Sequence, residues 1–338
     1  MRSSIRSNRS SNKAKLRGLL CYAAVTLSIA GGSRSQKPNG AVRNGMIKTP
    51  VSSKFKTAAW PRPGVEEYVF SVRSSGGQPL GEGIKEFDWS LEVDPRRGLV
   101  SAELFRSDAD TPGQPIGLFR FAIDDQQLRE FEELVIGSDL FGLHPAMSGH
   151  PGYTERVYTF VRSGRTSLQR INNSDEQTNA KVTQLRSKIS SLLATSFDHP
   201  ERAVRLSVEQ HPGEFEVTIT NIGIETVCFT DPRWLAAVGP EHQAAVMITE
   251  FPPYEPGGPP PELNWNAIPL ERMSNNPKEE QLVVLASKGS WRGSVPWTKP
   301  AHGRYLAYFT WANYQGQPMV DKVYRIRGRA DSPRLVIE

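Results

Sequence analysis

Two cysteines in 338 residues, Cys21 and Cys228, leave little scope for covalent stapling. If Cys21 departs with a leader, Cys228 has no partner and no intramolecular disulfide forms. A chain of this size can bury a sufficient core without one. A catalytic thiol at Cys228 would need a nearby histidine and an electropositive setting. Its neighbours in "ETVCFTD" are strand-like with acidic flanks, so a structural strand residue is expected.

Acidic residues are missing from the first 65 positions, which hold 13 Lys and Arg. That leaves 28 of the 41 basic residues against all 36 acidic ones, a net charge of −8 over residues 66–338. The pI of 9.2 therefore belongs to the leader and the segment after it. A nucleic-acid binder needs its positive patch on the folded surface, where phosphate neutralisation supplies affinity. This distribution excludes that class.

Long apolar runs are missing as well. "LLCYAAVTLSIA", residues 19–30, is twelve residues without a charge. It makes about 18 Å of helix against a hydrocarbon core of about 30 Å. Six basic residues precede it in "MRSSIRSNRSSNKAKLRG", and the small, polar "GGSRSQKPNG" follows. That is the order of a secretory signal peptide, with Ser28 and Ala30 at −3 and −1 if cleavage falls before Gly31. Residues 1–30 are thus expected to be a signal peptide, and the mature chain secreted or periplasmic. An uncleaved segment acting as a membrane anchor is the alternative. A transit peptide fits less well, because the basic residues precede the apolar run instead of interleaving with it. Lipidation at Cys21 is disfavoured, because it stands near the start of the run. Residues 31–63, rich in Ser, Gly, Lys, Pro and Asn, read as a flexible basic linker that cannot offset its ordering entropy.

Catalytic signatures are missing too. There is no G-x-S-x-G, P-loop, G-x-G-x-x-G or HExxH, and no paired cysteines for zinc. His144 and His150 lie six apart in "GLHPAMSGHPGYTE" with Glu155 following, a spacing that matches no standard zinc pattern. A site between domains would need those three to converge. Asp124–Asp125 and Glu132–Glu133 fit the start and solvated face of a helix better than an acid/base pair. No cofactor or metal is expected.

What is present is periodicity. Residues 64–198 carry alternating runs "EEYVFSVRS", "EFDWSLEVD", "GLVSAELFRS" and "IGLFRFAID", separated by turn-rich joints. The period then changes. Leu128, Phe131, Leu134 and Val135 recur at helical spacing, with Asp124 or Asp125 able to cap. "RVYTFVRSGRTSLQRI" reads as a hairpin turning at Ser163–Gly164. Val182, Leu185, Ile189, Leu192 and Leu193 mark a second helix, with Ser174 and Gln177 placed as a capping box. The sum is an α+β domain, an antiparallel sheet covered by two helices. This order is similar to that of uncharacterised domains of exported bacterial proteins, a resemblance that brings no assigned chemistry.

Residues 201–338 carry β signals only. "FEVTITNIGIETVCF" shows the pattern: Phe215, Val217 and Ile219 share one face, Asn221 and Gly223 supply a turn, and Val227 and Phe229 return on a common face. Seven or eight short strands of this kind predict an all-β sandwich. The "TNIG" unit, the "LASKGSW" step and "HGRYLAYF" resemble immunoglobulin-like modules of exported proteins, and also the proteinase-inhibitor-like sandwich family. That resemblance implies an immunoglobulin-like fold, not an activity. A boundary is expected at Phe197–Ala203, where Asp-His-Pro resists helix extension.

Two features of this half suit binding. "FPPYEPGGPPPEL" has six prolines in thirteen residues, around Tyr254. It reads either as a stiff inter-strand loop or as a polyproline II ligand. Five of seven tryptophans lie here. Trp265, Trp291 and Trp297 are candidates to present an aromatic face, whereas Trp311 inside "YLAYFTWAN" reads as core. The favoured function is a non-catalytic extracytoplasmic protein that binds a protein or a cell-envelope glycan through its sandwich. The alternatives are a carbohydrate-binding module, which needs Trp265 exposed and coplanar with Trp291 or Trp297, and an enzyme with a site between the domains.

Overall fold

A computed structural model describes residues 68–75, 89–106, 113–142, 155–162, 165–172, 180–238, 243–251, 263–271, 279–314 and 316–338. The protein is mainly β, with antiparallel sheets and few helices among these residues.

The alternating runs of the first half form β1 (Tyr68–Ser75), β2 (Trp89–Asp94), β3 (Leu99–Leu104) and β4 (Ile116–Ala122). Each pairs antiparallel with the next. Phe70, Val72, Leu91, Val93 and Val100 are buried, as their period of two requires. The change of period after β4 produces α1 (Asp125–Gly137). Asp124 caps it: the Gln127 N–H donates to Asp124 Oδ1 at 2.7 Å, and Gln127 Oε1 accepts from the Asp124 N–H at 3.3 Å. This reciprocal pair satisfies two orphan donors at the helix start. β5 (Glu155–Arg162) and β6 (Arg165–Asn172) form the expected hairpin.

The second helix is α2 (Ala180–Ser196). Val182, Leu185, Ile189 and Leu192 are buried on its inner side, packed with Phe70, Phe131 and Tyr158 in one apolar cluster. Burying those four side chains contributes about 6–12 kcal/mol before ordering entropy is subtracted. The capping box expected at Ser174 and Gln177 lies outside the described residues.

The second half begins with β7 (Pro200–His211) and β8 (Glu214–Asn221), then β9 (Val227–Thr230) and α3 (Pro232–Val238). β10 (Ala244–Glu250), β11 (Asn266–Pro269), β12 (Leu282–Leu285) and β13 (Ser290–Pro296) follow. β14 (Tyr305–Asn313), β15 (Met319–Val320), β16 (Val323–Arg325), β17 (Gly328–Asp331) and β18 (Leu335–Ile337) complete the chain. Helix α3 was not expected. Its signal is Asp231–Pro232: the Asp231 carboxylate accepts from the Arg233 N–H at 2.8 Å, and proline suits the first helical position. "VDKVYRIRG" does not run as one strand: it passes from the end of β15 through β16 to the start of β17. Asp321 and Lys322, both at positive φ, turn β15 back into β16.

The strands make three sheets. Nine strands run in the order β13-β8-β7-β4-β3-β2-β1-β5-β6. Five form β11-β10-β14-β17 with β18 also on β14, and four form β12-β9-β16-β15. The inner faces meet in one cluster: Leu206, Phe215, Val217 and Ile219 from the large sheet, Val246, Phe309 and Trp311 from the second, Val227, Phe229 and Tyr324 from the third.

The large sheet crosses the boundary expected at Phe197–Ala203, because β4 pairs with β7. Gly117 makes the approach feasible. Its φ is +125°, its position leaves no room for a Cβ against the Arg202 carbonyl, and the register shifts at Leu118/Phe119. The "TNIG" turn closes the same seam. Ile222 N–H donates to Ala203 O at 2.9 Å and Glu225 N–H to Glu201 O at 3.0 Å, while a Cβ on Gly223 would collide with the Glu201 carbonyl.

Candidate functional site

Trp265 stands just before β11 and is half-buried. Strand alternation decides what it meets. On β14, Ala307, Phe309 and Trp311 point into the core, so Tyr308 and Thr310 face outward. Tyr308 meets the Trp265 ring edge-on, with centroids 4.8 Å apart at 75°. The Arg334 guanidinium, from the segment between β17 and β18, lies over the Trp265 ring at 5.8 Å. Asp331 opposes Thr310 across the β14–β17 ladder and is buried. It accepts from Thr310 Oγ1 at 2.7 Å and from two Arg329 nitrogens at 3.3 Å.

Burial, and then the Asp331 carboxylate, push the Tyr308 hydroxyl above its ordinary pKa, while Arg329 and Arg334 pull the other way. The Arg329 guanidinium is held up by Asp331 against its own burial. The outer face of the five-stranded sheet thus carries an indole that touches a phenol on one side and an arginine on the other, beside the buried Asp331 carboxylate and its half-exposed partner Arg329. Such a group can stack on a planar or sugar ring and donate hydrogen bonds to a carboxylate.

Trp291 and Trp297 lie elsewhere. Trp291 on β13 is 8 % exposed and belongs to the core. Gly293 leaves room for its ring, and the Arg233 guanidinium sits 5.7 Å from the ring centroid. Arg233 is itself held by Asp231 at 2.7 Å, a hydrogen bond that raises its pKa. Trp297 stacks on Phe215 at 4.8 Å and meets Tyr305 at 5.7 Å. Tyr305 and Tyr308 are three residues apart on β14 and so project to opposite faces. Trp265 therefore shares no aromatic platform with Trp291 or Trp297. Tyr254 lies outside the described residues, as do His144 and His150; Glu155 opens β5.

Cys228 is a free, buried thiol. Burial raises its pKa; Arg325 opposes that, and Glu280 and Asp321 add to it. Beside it lies a network the sequence did not disclose. Arg325, 3 % exposed, donates from Nη2 to Thr230 Oγ1 at 2.9 Å and pairs with Glu280. Thr230 Oγ1 donates to Glu280 at 2.6 Å and accepts from Asn313. The network ties β9, β14 and β16 together.

A second polar group lies along the seam. Arg120 of β4 pairs with Glu201 of β7 at 2.9 Å, Arg202 with Glu225 at 2.6 Å, and the Tyr324 hydroxyl donates to Glu103 of β3. Among the described residues no cluster of His, Cys, Asp and Glu is arranged to hold a metal ion, and no helix is long and apolar enough to cross a membrane. The chain matches no protein-family model and no curated protein.

Proposed function

We propose that this is a non-catalytic extracytoplasmic protein that binds a protein or cell-envelope partner through the β layers of residues 201–338. The Trp265–Tyr308–Arg334 group carries this reading, because a half-buried aromatic pair under a guanidinium is a common form of binding hot spot. With it goes a finer architecture: an α+β unit, residues 64–198, followed by an immunoglobulin-like sandwich. The division of apolar side chains into two large clusters supports this. One spans Tyr68 to Leu192; the other, apart from Ile116 and Leu118, spans Val204 to Ile337. The basic, apolar and small-residue order of residues 1–32 supports export, with a mature start near Gly31 or retention as an anchor.

The carbohydrate-binding alternative rests on Trp265 alone, since Trp291 and Trp297 lie toward the core. Titrating the protein with soluble peptidoglycan fragments and with envelope-protein peptides, following tryptophan emission, tests the site. Saturable quenching lost in both Trp265→Ala and Arg334→Ala is expected. Unchanged binding in both variants would remove this surface from the reading. Fractionation of the tagged protein, with mass spectrometry of its N-terminus, tests export. Soluble cytosolic protein that retains Met1–Ala30 would refute it.

A further inference from the structure

The nine-stranded sheet ends at β6, whose outer edge has no ladder partner among the described residues. Three other edges in the structure are blunted. β13 ends in Pro296, β11 ends in Pro269, and β15 is two residues long. β6 has eight residues, no proline, and an unbroken register with β5. Alternate residues of such a strand direct their N–H and C=O outward, away from β5, where no strand pairs with them among the described residues.

The side chains on β6 are specific. Ile171 is buried on the helix-covered side. Leu168 faces the other way, opposite Thr159 of β5, and is 56 % exposed. Arg165 and Arg170 are exposed and make no ion pair among the described residues, unlike Arg162, which reaches Glu132 at 3.7 Å. A second copy is a poor occupant. Twofold antiparallel pairing that sets Leu168 opposite its own copy brings four exposed arginines into one ladder. Charge complementarity instead selects an acidic strand.

We infer that β6 is a docking edge for an extended acidic segment of a partner protein, which adds a tenth strand to the sheet. The spacing defines the segment. Arg170, Leu168 and Arg165 ask for the order acid–x–apolar–x–x–acid in an antiparallel partner. The first acid and the apolar residue share a face, and the second acid lies on the other. This surface is separate from Trp265, so either can fail without the other.

The test uses the full chain and eight-residue peptides of that pattern with the x positions varied. Lys replaces both acids in one control set. In another, alternate backbone amides are N-methylated, which keeps charge but blocks the ladder. The acidic set is expected to bind at least tenfold tighter than either control, and to slow amide hydrogen exchange within Arg165–Asn172. The double variant Arg165→Glu, Arg170→Glu keeps the basic leader and should reverse the preference toward the Lys set. Equal binding of the N-methylated peptides, no exchange protection in β6, or unchanged preference in the double variant overturns the inference. So does a stable dimer of the chain whose β6 amides are protected without any peptide, which would assign the edge to a second copy.

Discussion

Asn221 closes β8 with no exposed surface, and its side chain is the hub of the "TNIG" turn. Its amide donates to Glu225 O at 2.8 Å and to Leu285 O and Ala286 O at 3.1 Å. Its Oδ1 accepts from the Gly223 N–H at 2.9 Å. Asn221→Ala strips partners from these backbone groups in the interior. Each unsatisfied buried group costs about 1–3 kcal/mol, and some relaxation is available, so a loss of about 3–4 kcal/mol is expected. That is a large share of a typical margin of about 5–15 kcal/mol, and for this size it corresponds to about 10 °C in Tm. Asn221→Asp keeps the acceptor but turns a carboxylate toward three carbonyls. Burial and repulsion raise the folded pKa of the introduced carboxyl above its unfolded value of about 3.9. The folded state then holds the proton longer. Stability relative to the parent is best below about pH 4 and falls as pH rises through the folded pKa. Urea unfolding across pH measures both effects. An alanine variant within about 1 kcal/mol of the parent, or an aspartate variant whose deficit shrinks as pH rises, refutes the hub reading.

Cys228 should resist thiol reagents in the folded protein and react at once in denaturant, since burial raises its pKa; native-state labelling at the rate of an exposed thiol contradicts its placement. Tyr324→Phe leaves Glu103 without the hydroxyl that donates to it and should cost about 1–2 kcal/mol in chemical denaturation, with any partner binding intact. Tyr68 and Tyr324 are both held neutral, chiefly by burial and then by Glu132 and Glu103 respectively. Unfolded tyrosines ionise first, so stability is retained below about pH 10 and lost above it, and their phenolate absorbance should rise only with unfolding.

Local chemistry was legible in the sequence. The stripe from Val182 to Leu192, the cap at Asp124, the pairing of β5 with β6 and the alternation of β8 each follow from short-range spacing. Trp265 was legible as a partly exposed aromatic, but Tyr308 and Arg334 reach it only through the pairing of β10, β11, β14 and β18. Arg325 was not legible. "VYRIRG" offers two arginines at alternate positions, and only the third sheet decides that one of them is buried against Glu280. The β4–β7 ladder was hidden for the same reason. Each strand satisfies its own alternation, and nothing local names the neighbour.

That ladder governs what happens when the chain is cut before residue 201. The cut removes Ile116 and Leu118 from the core cluster that Val204 and Ile326 share. Re-exposing the surface they cover costs about 3–6 kcal/mol. It also frees one edge of β7 and breaks the Arg120–Glu201 pair. The Arg329 N–H loses Phe105 O at 2.8 Å, and Asp331 O loses the Gly113 N–H at 3.0 Å. Against a margin of about 5–15 kcal/mol, these losses leave residues 201–338 β-rich but loosely packed. Circular dichroism should show retained strand signal, and thermal melting a broad transition well below that of the full chain. A sharp melt of the fragment within about 5 °C of the full chain would show that the seam contributes little and that the β4–β7 ladder joins two independently stable units.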